Sequence, residues 1–152
     1  MRIYRLAEYE YQEVYPDSDE EVDYDNIGQA ESVFQDAGIR PDSTKNISDI
    51  VLTDGTVIGA TSSGWYRGED NDMVFAFDVA VQKEHRLKQI GPELITRAIQ
   101  KFENERGDYE SMGDKTYMRI EAVNLQVGAY LVKLHGFTVE HNLPDRMILR
   151  KE

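Results

Sequence analysis

The stretch Val79–Phe102, VAVQKEHRLKQIGPELITRAIQKF, decides the fold, because it joins a strand to a helix through a basic turn. Large apolar residues alternate from Phe75 to Val81, and small apolar residues and Asp78 lie between them. An apolar run of this length, apolar at most positions of both faces, predicts a strand buried on both sides of a sheet.

The second half of the stretch has the spacing of a helix. Its apolar residues recur every three or four positions, at Leu94, Ile95, Ala98, Ile99 and Phe102. Gly91-Pro92 marks the start of this helix, because proline suits a first turn in which its missing N–H is not needed.

The turn between the two elements, Gln82–Gln89, carries Lys83, Arg86 and Lys88 against Glu84 in a chain of formal net charge −12. A helix N-terminus offers unpaired N–H groups and the positive end of the helix dipole. The combination favours an anion site, for which a diphosphate is the natural ligand. The alternative is a solvated turn with incidental cations.

This region carries a family resemblance. Val79-x-Val81 followed by Arg86-Leu87-Lys88-Gln89-Ile90-Gly91 resembles motif A of the GNAT-superfamily N-acetyltransferases, a strand followed by R/Q-x-x-G-x-G/A. The resemblance implies that acetyl-CoA binds here as the acyl donor, with its pyrophosphate on backbone amides of the turn and the first helical residues. It also implies that backbone groups near Val79 and Val81 bind the pantetheine arm.

Gln89 departs from this motif, because it stands where the first glycine is usual. A side chain at this position is expected to crowd the phosphates or to lose a backbone conformation with positive φ.

Length and composition predict one domain over residues 1–152, and the resemblance implies that this domain is GNAT-like. The absence of cysteine excludes thiol nucleophiles and thiolate metal sites, and the three histidines lack the spacing of a zinc site, so no metal is expected. No run has the length of a membrane span and the N-terminus lacks the apolar core of a signal peptide, so a cytoplasmic protein is expected.

The chain has 29 acidic residues against 17 lysines and arginines. This excess argues against nucleic-acid binding, which needs cations to replace phosphate counterions. It suits a cationic amine or a basic partner through long-range attraction, and equally it serves solubility alone. The acidic stretch Asp17–Asp25 lies, by the resemblance, in the region that shapes the acceptor cleft. The sequence permits either a monomer or a homodimer.

The remaining elements follow from periodicity and turn residues. Arg2–Ala7 reads as a strand, Glu8–Asn26 as a loop or frayed connection, and the segment ending near Ala37 as a helix. Three strands, the helix described above, a strand, a second amphipathic helix and a closing hairpin come next. The fold class is therefore α/β, with a mixed, mostly antiparallel central sheet and flanking helices. This is also the element order of the GNAT fold.

A second motif supports the resemblance. The segment Ile120–Phe137, IEAVNLQVGAYLVKLHGF, resembles motif B of the same family, in which a strand runs into N-x-x-A and later a tyrosine and G-F. Asn124 matches and is expected to cap the helix and, by the resemblance, to contact the cofactor. Tyr130 is offset from the family's tyrosine.

Acetyl transfer to an amine needs a base, an oxyanion donor and an acid for the departing thiolate. By the resemblance, strands splay at motif A and backbone N–H groups near Val79 and Val81 stabilise the oxyanion. Asp78 is the first candidate base, because burial would favour its neutral form; a satisfied structural carboxylate is the alternative. Glu121 is the second candidate, or an exposed cross-strand ion-pair partner. Tyr130 is the candidate acid, or a core residue.

The function predicted from these observations is acetyl-CoA-dependent N-acetyl transfer to a primary amine in a ternary complex. The amine is either a small cationic amine or a protein lysine or N-terminus. The alternative is a GNAT-like module without catalysis, which binds a basic partner with or without CoA.

Overall fold

The computed structural model describes residues 8–14, 24–40, 44–86 and 89–152. The strands are β1 (Glu10–Glu13), β2 (Asn46–Thr53), β3 (Thr56–Arg67), β4 (Met73–Val81), β5 (Thr116–Ala122), β6 (Thr138–Asn142) and β7 (Met147–Lys151). The helices are α1 (Tyr24–Asp36), α2 (Ile90–Glu110) and α3 (Leu125–His135), and a short 3-10 turn spans Lys83–His85. The predicted strand Arg2–Ala7 and most of the acidic stretch Asp17–Asp25 lie outside the described residues.

The strands form a seven-stranded sheet in the order β1-β2-β3-β4-β5-β7-β6. β4 and β5 pair in parallel, and the other described pairs are antiparallel. The predicted α/β class with a mixed, mostly antiparallel sheet is therefore confirmed. The parallel pair is reached through the α2 crossover, as the βαβ rule requires.

β4 lies at the centre of this sheet and is buried on both faces, as predicted. Phe75 and Phe77, both fully buried, pack with residues of α2 and α3 on one face. Ala80 packs on the other face, against the buried residues of α1. The two faces of β4 therefore meet different helices, and any group that passes through the sheet beside β4 connects two separate surfaces.

α2 is longer than the sequence predicts. Gly107–Lys115 reads as a polar loop, but the helix continues to Glu110. Two contacts stabilise this last turn: Arg106 donates to Glu110 at 2.8 Å, and the ring centroid of Tyr109 lies 4.5 Å from that of Trp65. Such local contacts outweigh the helix penalty of one glycine, about 1 kcal/mol. No helix within the described ranges is long and apolar enough to cross a membrane.

α3 begins and ends where the sequence indicates. The side chain of Asn124 caps it by accepting a hydrogen bond from Gln126 N–H at 2.8 Å, and Gly136 ends it with φ of 72°. The sequence spacing predicts one apolar stripe of Val127, Tyr130, Leu131 and Leu134; Leu131 is buried, but Leu134 is 64% exposed. The prediction was wrong for Leu134, because the 11-residue helix packs on β5 and β7 with a narrower buried face than the sequence stripe.

The acidic segment Glu8–Asn26, predicted to be a loop or frayed connection, contains β1. β1 pairs with β2, and Tyr9 and Tyr11 pack against an apolar cluster that includes Ile90 of α2. The guanidinium of Arg97 lies 4.7 Å from the centre of the Tyr11 ring. The acidic residues make this segment look like a loop in the sequence, but the contacts of Tyr9 and Tyr11 with the core stabilise it as a strand.

Candidate active site

A gap opens between β4 and β5 in the middle of the sheet. Their parallel pairing runs from Met73 opposite Thr116 to Ala76 opposite Arg119 and stops there. β4 continues to Val81 and β5 to Ala122, each still paired with its outer neighbour. Beyond Ala76 the two strands therefore present facing edges that are not paired with each other. This confirms the splay that the sequence resemblance implies.

The two candidate carboxylates lie on opposite sides of this gap. Asp78 and Glu121 each come two residues after the last pair, so both side chains are on the same face of the sheet. Asp78 is 5% exposed. Its Oδ2 accepts a hydrogen bond from the Lys45 ammonium at 2.7 Å. Asp78 is thus a buried, ion-paired carboxylate, the structural alternative considered for it, and Lys45 provides the cation.

Glu121 is more accessible than Asp78. Its side chain is 48% exposed and its Oε2 lies 3.8 Å from Arg146 Nε. This matches the cross-strand ion-pair role that was the alternative to a base. A carboxylate this exposed keeps one side available to a ligand, so the two roles are compatible.

A cavity of about 270 Å³ lies on the same face, at the end of the gap where the strands rejoin. It is lined by Thr44, Lys45, Tyr66, Ala76, Arg119 and Glu121. Ala76 and Arg119 form the last β4–β5 pair, so the cavity floor is the vertex of the splay. Tyr66, near the end of β3, belongs to this cavity, whereas its neighbour Trp65 stacks on Phe102 in the core.

Among the described residues, Arg119 is one of the two cations that line the cavity; the other is Lys45. Its Nη1 donates to the Tyr66 hydroxyl at 3.2 Å, and its buried Nε has no hydrogen-bond partner among the described residues. Burial lowers the pKa of the guanidinium, but the hydrogen bond with Tyr66 and nearby carboxylates raise it, and the net shift is upward. Arg119 is therefore a cation, as arginine is throughout the ordinary pH range.

The basic turn lies at the other end of β4. Lys83 and Arg86 are exposed, and they line a second cavity of about 490 Å³. Val33, Asp36 and Ala37 of the α1 end complete part of its wall. His85 Nδ1 lies 2.9 Å from the Tyr9 hydroxyl, so the N-terminal segment also contacts this turn.

The backbone at Gln89, just before α2, has a conformation suited to the glycine that the motif has at this position. Gln89 precedes α2 with φ of 63° and ψ of 13°, a left-handed conformation that glycine adopts freely. The side chain at Gln89 therefore does not prevent the positive φ, contrary to that expectation. Among the described residues, nothing lies within 4 Å of a Cβ built at Gly91, so their surface over the first helical turn leaves room for a phosphate.

The structure describes most of the residues that are predicted to bind the cofactor. Ile90 is buried and anchors the start of α2, and Arg86 Nε donates to the Val81 carbonyl at 3.0 Å. Val79 is half-buried between the two apolar clusters on the α2 face. Leu87 and Lys88 lie outside the described residues. The turn residues that are described fit a diphosphate: two exposed cations and a helix start with an open surface.

Tyr130 and Asn124 are placed differently from the carboxylates. Tyr130 packs against the core between the sheet and α3, and its hydroxyl lies 3.3 Å from His135 Nε2. It is on the face opposite Asp78 and Glu121. Asn124 caps α3 and is exposed, as predicted for the cap.

Sequence reasoning missed Lys45 and Arg119. Arg119 alternates with apolar residues in its strand, which signalled only that it faces away from the α2 and α3 core. Lys45 lies 33 residues before its partner Asp78, in a segment without a motif. Their convergence depends on the register of strands distant in sequence.

Comparison with known proteins identifies the architecture. A family model described as Acetyltransferase (GNAT) family matches residues 1–136. A search of curated proteins found no match.

Solved structures of low sequence identity share the fold. Naa50 of Arabidopsis thaliana, in complex with the bisubstrate analogue CoA-Ac-MVNAL, superposes with a TM-score of 0.64 at 11% identity over 95% of this chain and 98% of that one. The NatC complex bound to Gag peptide and CoA gives 0.65 at 14% identity over 94% and 96%. The acetyltransferase yncA of Salmonella typhimurium, with acetyl-CoA, gives 0.51 at 21% identity over 88% and 76%.

Proposed function

Because the chain belongs to the Acetyltransferase (GNAT) family, we propose that it transfers an acetyl group from acetyl-CoA to a primary amine by direct attack in a ternary complex. The observation that carries this proposal is the gap between β4 and β5, which joins the basic turn at one end to a charged cavity at the other. The bound CoA and acetyl-CoA of the neighbours support the choice of donor.

The gap has the dimensions of a channel for an extended arm. From Val81 to Ala76 it follows five residues of β4, a path of about 16 Å at the rise of a strand. A chain that enters at the basic turn must stop at Ala76 and Arg119, because the strands pair again there. We therefore place the reacting carbonyl beside the cavity of Arg119 and Glu121.

The turn would hold the diphosphate of the donor. Lys83 and Arg86 supply positive charge, and the N–H groups of Ile90 and Gly91 lie in a first helical turn, where intrahelical acceptors are missing. Pro92 contributes no N–H, so these two donors and the cations carry the interaction. Unpaired N–H groups on the β4 edge from Phe77 to Val81 are the available oxyanion donors.

The acceptor nitrogen would attack the thioester carbonyl from the cavity side. One C–N bond forms, the C–S bond breaks, the nitrogen loses a proton and the thiolate gains one. Glu121 lines the cavity, whereas Asp78 is bound by Lys45, so we assign Glu121 as the proton acceptor and Asp78 as a positioning residue. If Asp78 were the base, Asp78→Asn would abolish the pH dependence of turnover more completely than Glu121→Gln.

Calorimetric titration with acetyl-CoA tests the donor site. We expect micromolar binding by the wild type and at least about tenfold weaker binding by Arg86→Glu and Gly91→Glu, since each places a carboxylate at the phosphates. The matched controls are Lys133→Glu, at an exposed position of α3, and Gly107→Glu, at an exposed position of α2. Both should bind acetyl-CoA like the wild type. Equal binding by all five proteins would refute the site.

A binding module without catalysis is the second candidate. The observation that favours it is Tyr130, which hydrogen-bonds His135 on the face opposite the cavity and so offers no acid beside the carboxylates. Calorimetry combined with release of free thiol separates the two: CoA binding without thiol release by any amine would favour the module.

A further inference from the structure

The cavity at the end of the gap contains the guanidinium of Arg119, which forms no close ion pair within the described residues. Five other arginines pair with carboxylates: Arg67, Arg97, Arg106, Arg146 and Arg150. In the part of the chain that the structure describes, no carboxylate lies within 4 Å of Arg119, although the protein has 29 acidic residues. Within the described residues, the guanidinium of Arg119 hydrogen-bonds the neutral Tyr66 hydroxyl, and its Nε has no partner. An arginine in such a site has unused donor capacity.

Two of the charged residues that line this cavity, Arg119 and Glu121, lie on the same strand, β5. Arg119 and Glu121 are alternate residues of β5, so they share a face and their Cα atoms are about 6.6 Å apart. Both line the cavity, with Arg119 at the vertex and Glu121 toward the open end of the gap. A positive and a negative group at this spacing are complementary to a zwitterion whose ammonium and carboxylate are separated by a few bonds.

We propose that the acceptor is a small amine that also carries a carboxylate, such as a free amino acid, and that Arg119 binds this carboxylate. Glu121 then faces the amine, which is the group that the acetyl transfer needs beside the gap. The inference depends on the proposed transfer only in taking this cavity as the acceptor site.

The described part of the cavity has room for a small acceptor. About 270 Å³ is just below the usual range of ligand pockets and holds a molecule of amino-acid size. Its walls include Lys45, whose ammonium is fixed by Asp78, so the positive end of the cavity is already organised. The acidity of the whole chain acts at longer range and does not set the charge at this point.

Calorimetry on the CoA-loaded protein tests the proposal. The titrants are the common L-amino acids, β-alanine and 4-aminobutyrate, each compared with its own carboxamide, which keeps the amine and removes the carboxylate charge. We expect at least one acid to bind the wild type about tenfold or more tighter than its amide, as a charge-assisted hydrogen bond allows. In Arg119→Met this ratio should fall to about one.

Three further variants keep the test interpretable. Arg119→Lys retains the charge but loses the planar fork, so its ratio should be intermediate. Tyr66→Phe removes the hydroxyl that orients Arg119 and should lower the ratio partly while leaving the folded spectrum intact. Arg67→Met, at an exposed ion pair outside the cavity, should keep the wild-type ratio.

The outcomes separate this proposal from the transfer reaction. Equal binding of acids and amides, a preference that survives Arg119→Met, or binding only of acidic peptides would overturn it. Acid binding that depends on Arg119 without thiol release would support the proposal and contradict acetyl transfer. Acetylation of amines regardless of a carboxylate would support transfer and contradict the proposal.

Discussion

The Lys45 ammonium lies 2.7 Å from Asp78 Oδ2, and the two side chains are only 13% and 6% exposed. This ion pair ties the segment before β2 to the edge of the central gap. Loss of one partner leaves the other charge buried, so we expect Asp78→Asn to lower the free energy of unfolding by about 3 kcal/mol in urea denaturation.

A double variant isolates the pair from other effects. Lys45→Met with Asp78→Asn removes both charges and should recover part of the stability lost in Asp78→Asn. If the double variant loses as much stability, relative to the wild type, as Lys45→Met and Asp78→Asn lose in sum, the two charges do not interact as the structure indicates.

Gln89 holds a left-handed backbone that costs a residue with a Cβ about 1–2 kcal/mol. Glycine removes this cost and adds unfolded-state entropy of about 0.5–1 kcal/mol, so Gln89→Gly should be more stable than the wild type by about 0.5 kcal/mol. Chemical denaturation measures the change. Gln82→Gly, at a φ of −57°, is the control and should be destabilising. Destabilisation of equal size by both variants would contradict the strain at Gln89.

Gly64 lies against the segment that carries Lys45. A Cβ there would stand 1.8 Å from the Thr44 carbonyl oxygen, so Gly64→Ala must displace this backbone. We expect a loss of stability of about 3 kcal/mol or more, measured by thermal unfolding. Gly107→Ala is the control, because its Cβ meets nothing and alanine favours the helix, by about 1 kcal/mol. Equal stability of the two variants would contradict the close approach.

Asp49 gives the stability a pH dependence of unusual sign. Burial raises the pKa of its carboxyl, and the hydrogen bond donated by Thr61 opposes this rise. Between the ordinary pKa, about 4, and the raised one, the folded state binds more protons than the unfolded state. Its contribution is therefore favourable at low pH and is lost as pH rises through that window.

Asp49→Asn should remove this contribution and leave the protein at least as stable as the wild type at pH 7. Urea unfolding from pH 4 to pH 8 measures how the free energy of unfolding changes with pH in the wild type and in Asp49→Asn. Asp108→Asn, at an exposed position of α2, should follow the wild-type curve. If Asp49→Asn also follows it, the buried carboxyl does not couple folding to protons.

Local pattern predicted the centre of the fold well. β4 and the start of α2 follow from alternation, helical spacing and Gly91-Pro92, and the cap at Asn124 follows from one residue. The elements that sequence pattern misjudged depend on tertiary contacts. β1 exists because Tyr9 and Tyr11 reach the core, and α2 extends past Gly107 because Tyr109 packs on Trp65.

The candidate site divides in the same way. The donor end is contiguous in sequence, so the turn from Lys83 to Gly91 could be assigned from a motif. The acceptor end combines Lys45, Tyr66 and Arg119 from three separate segments. Only the sheet register brings them together, and periodicity within one strand carries no information about that register.

The gap between β4 and β5 also gives the sheet four edges, two of them in its interior. Outer edges are places where proteins risk pairing with other chains, whereas these inner edges face each other across the gap within one sheet. An arm hydrogen-bonded between them would act as a short additional strand and join β1–β4 to β5–β7. A bound ligand would then connect the two halves of the sheet and stabilise both. Hydrogen exchange of the backbone amides from Phe77 to Val81 should become slower when the site is occupied.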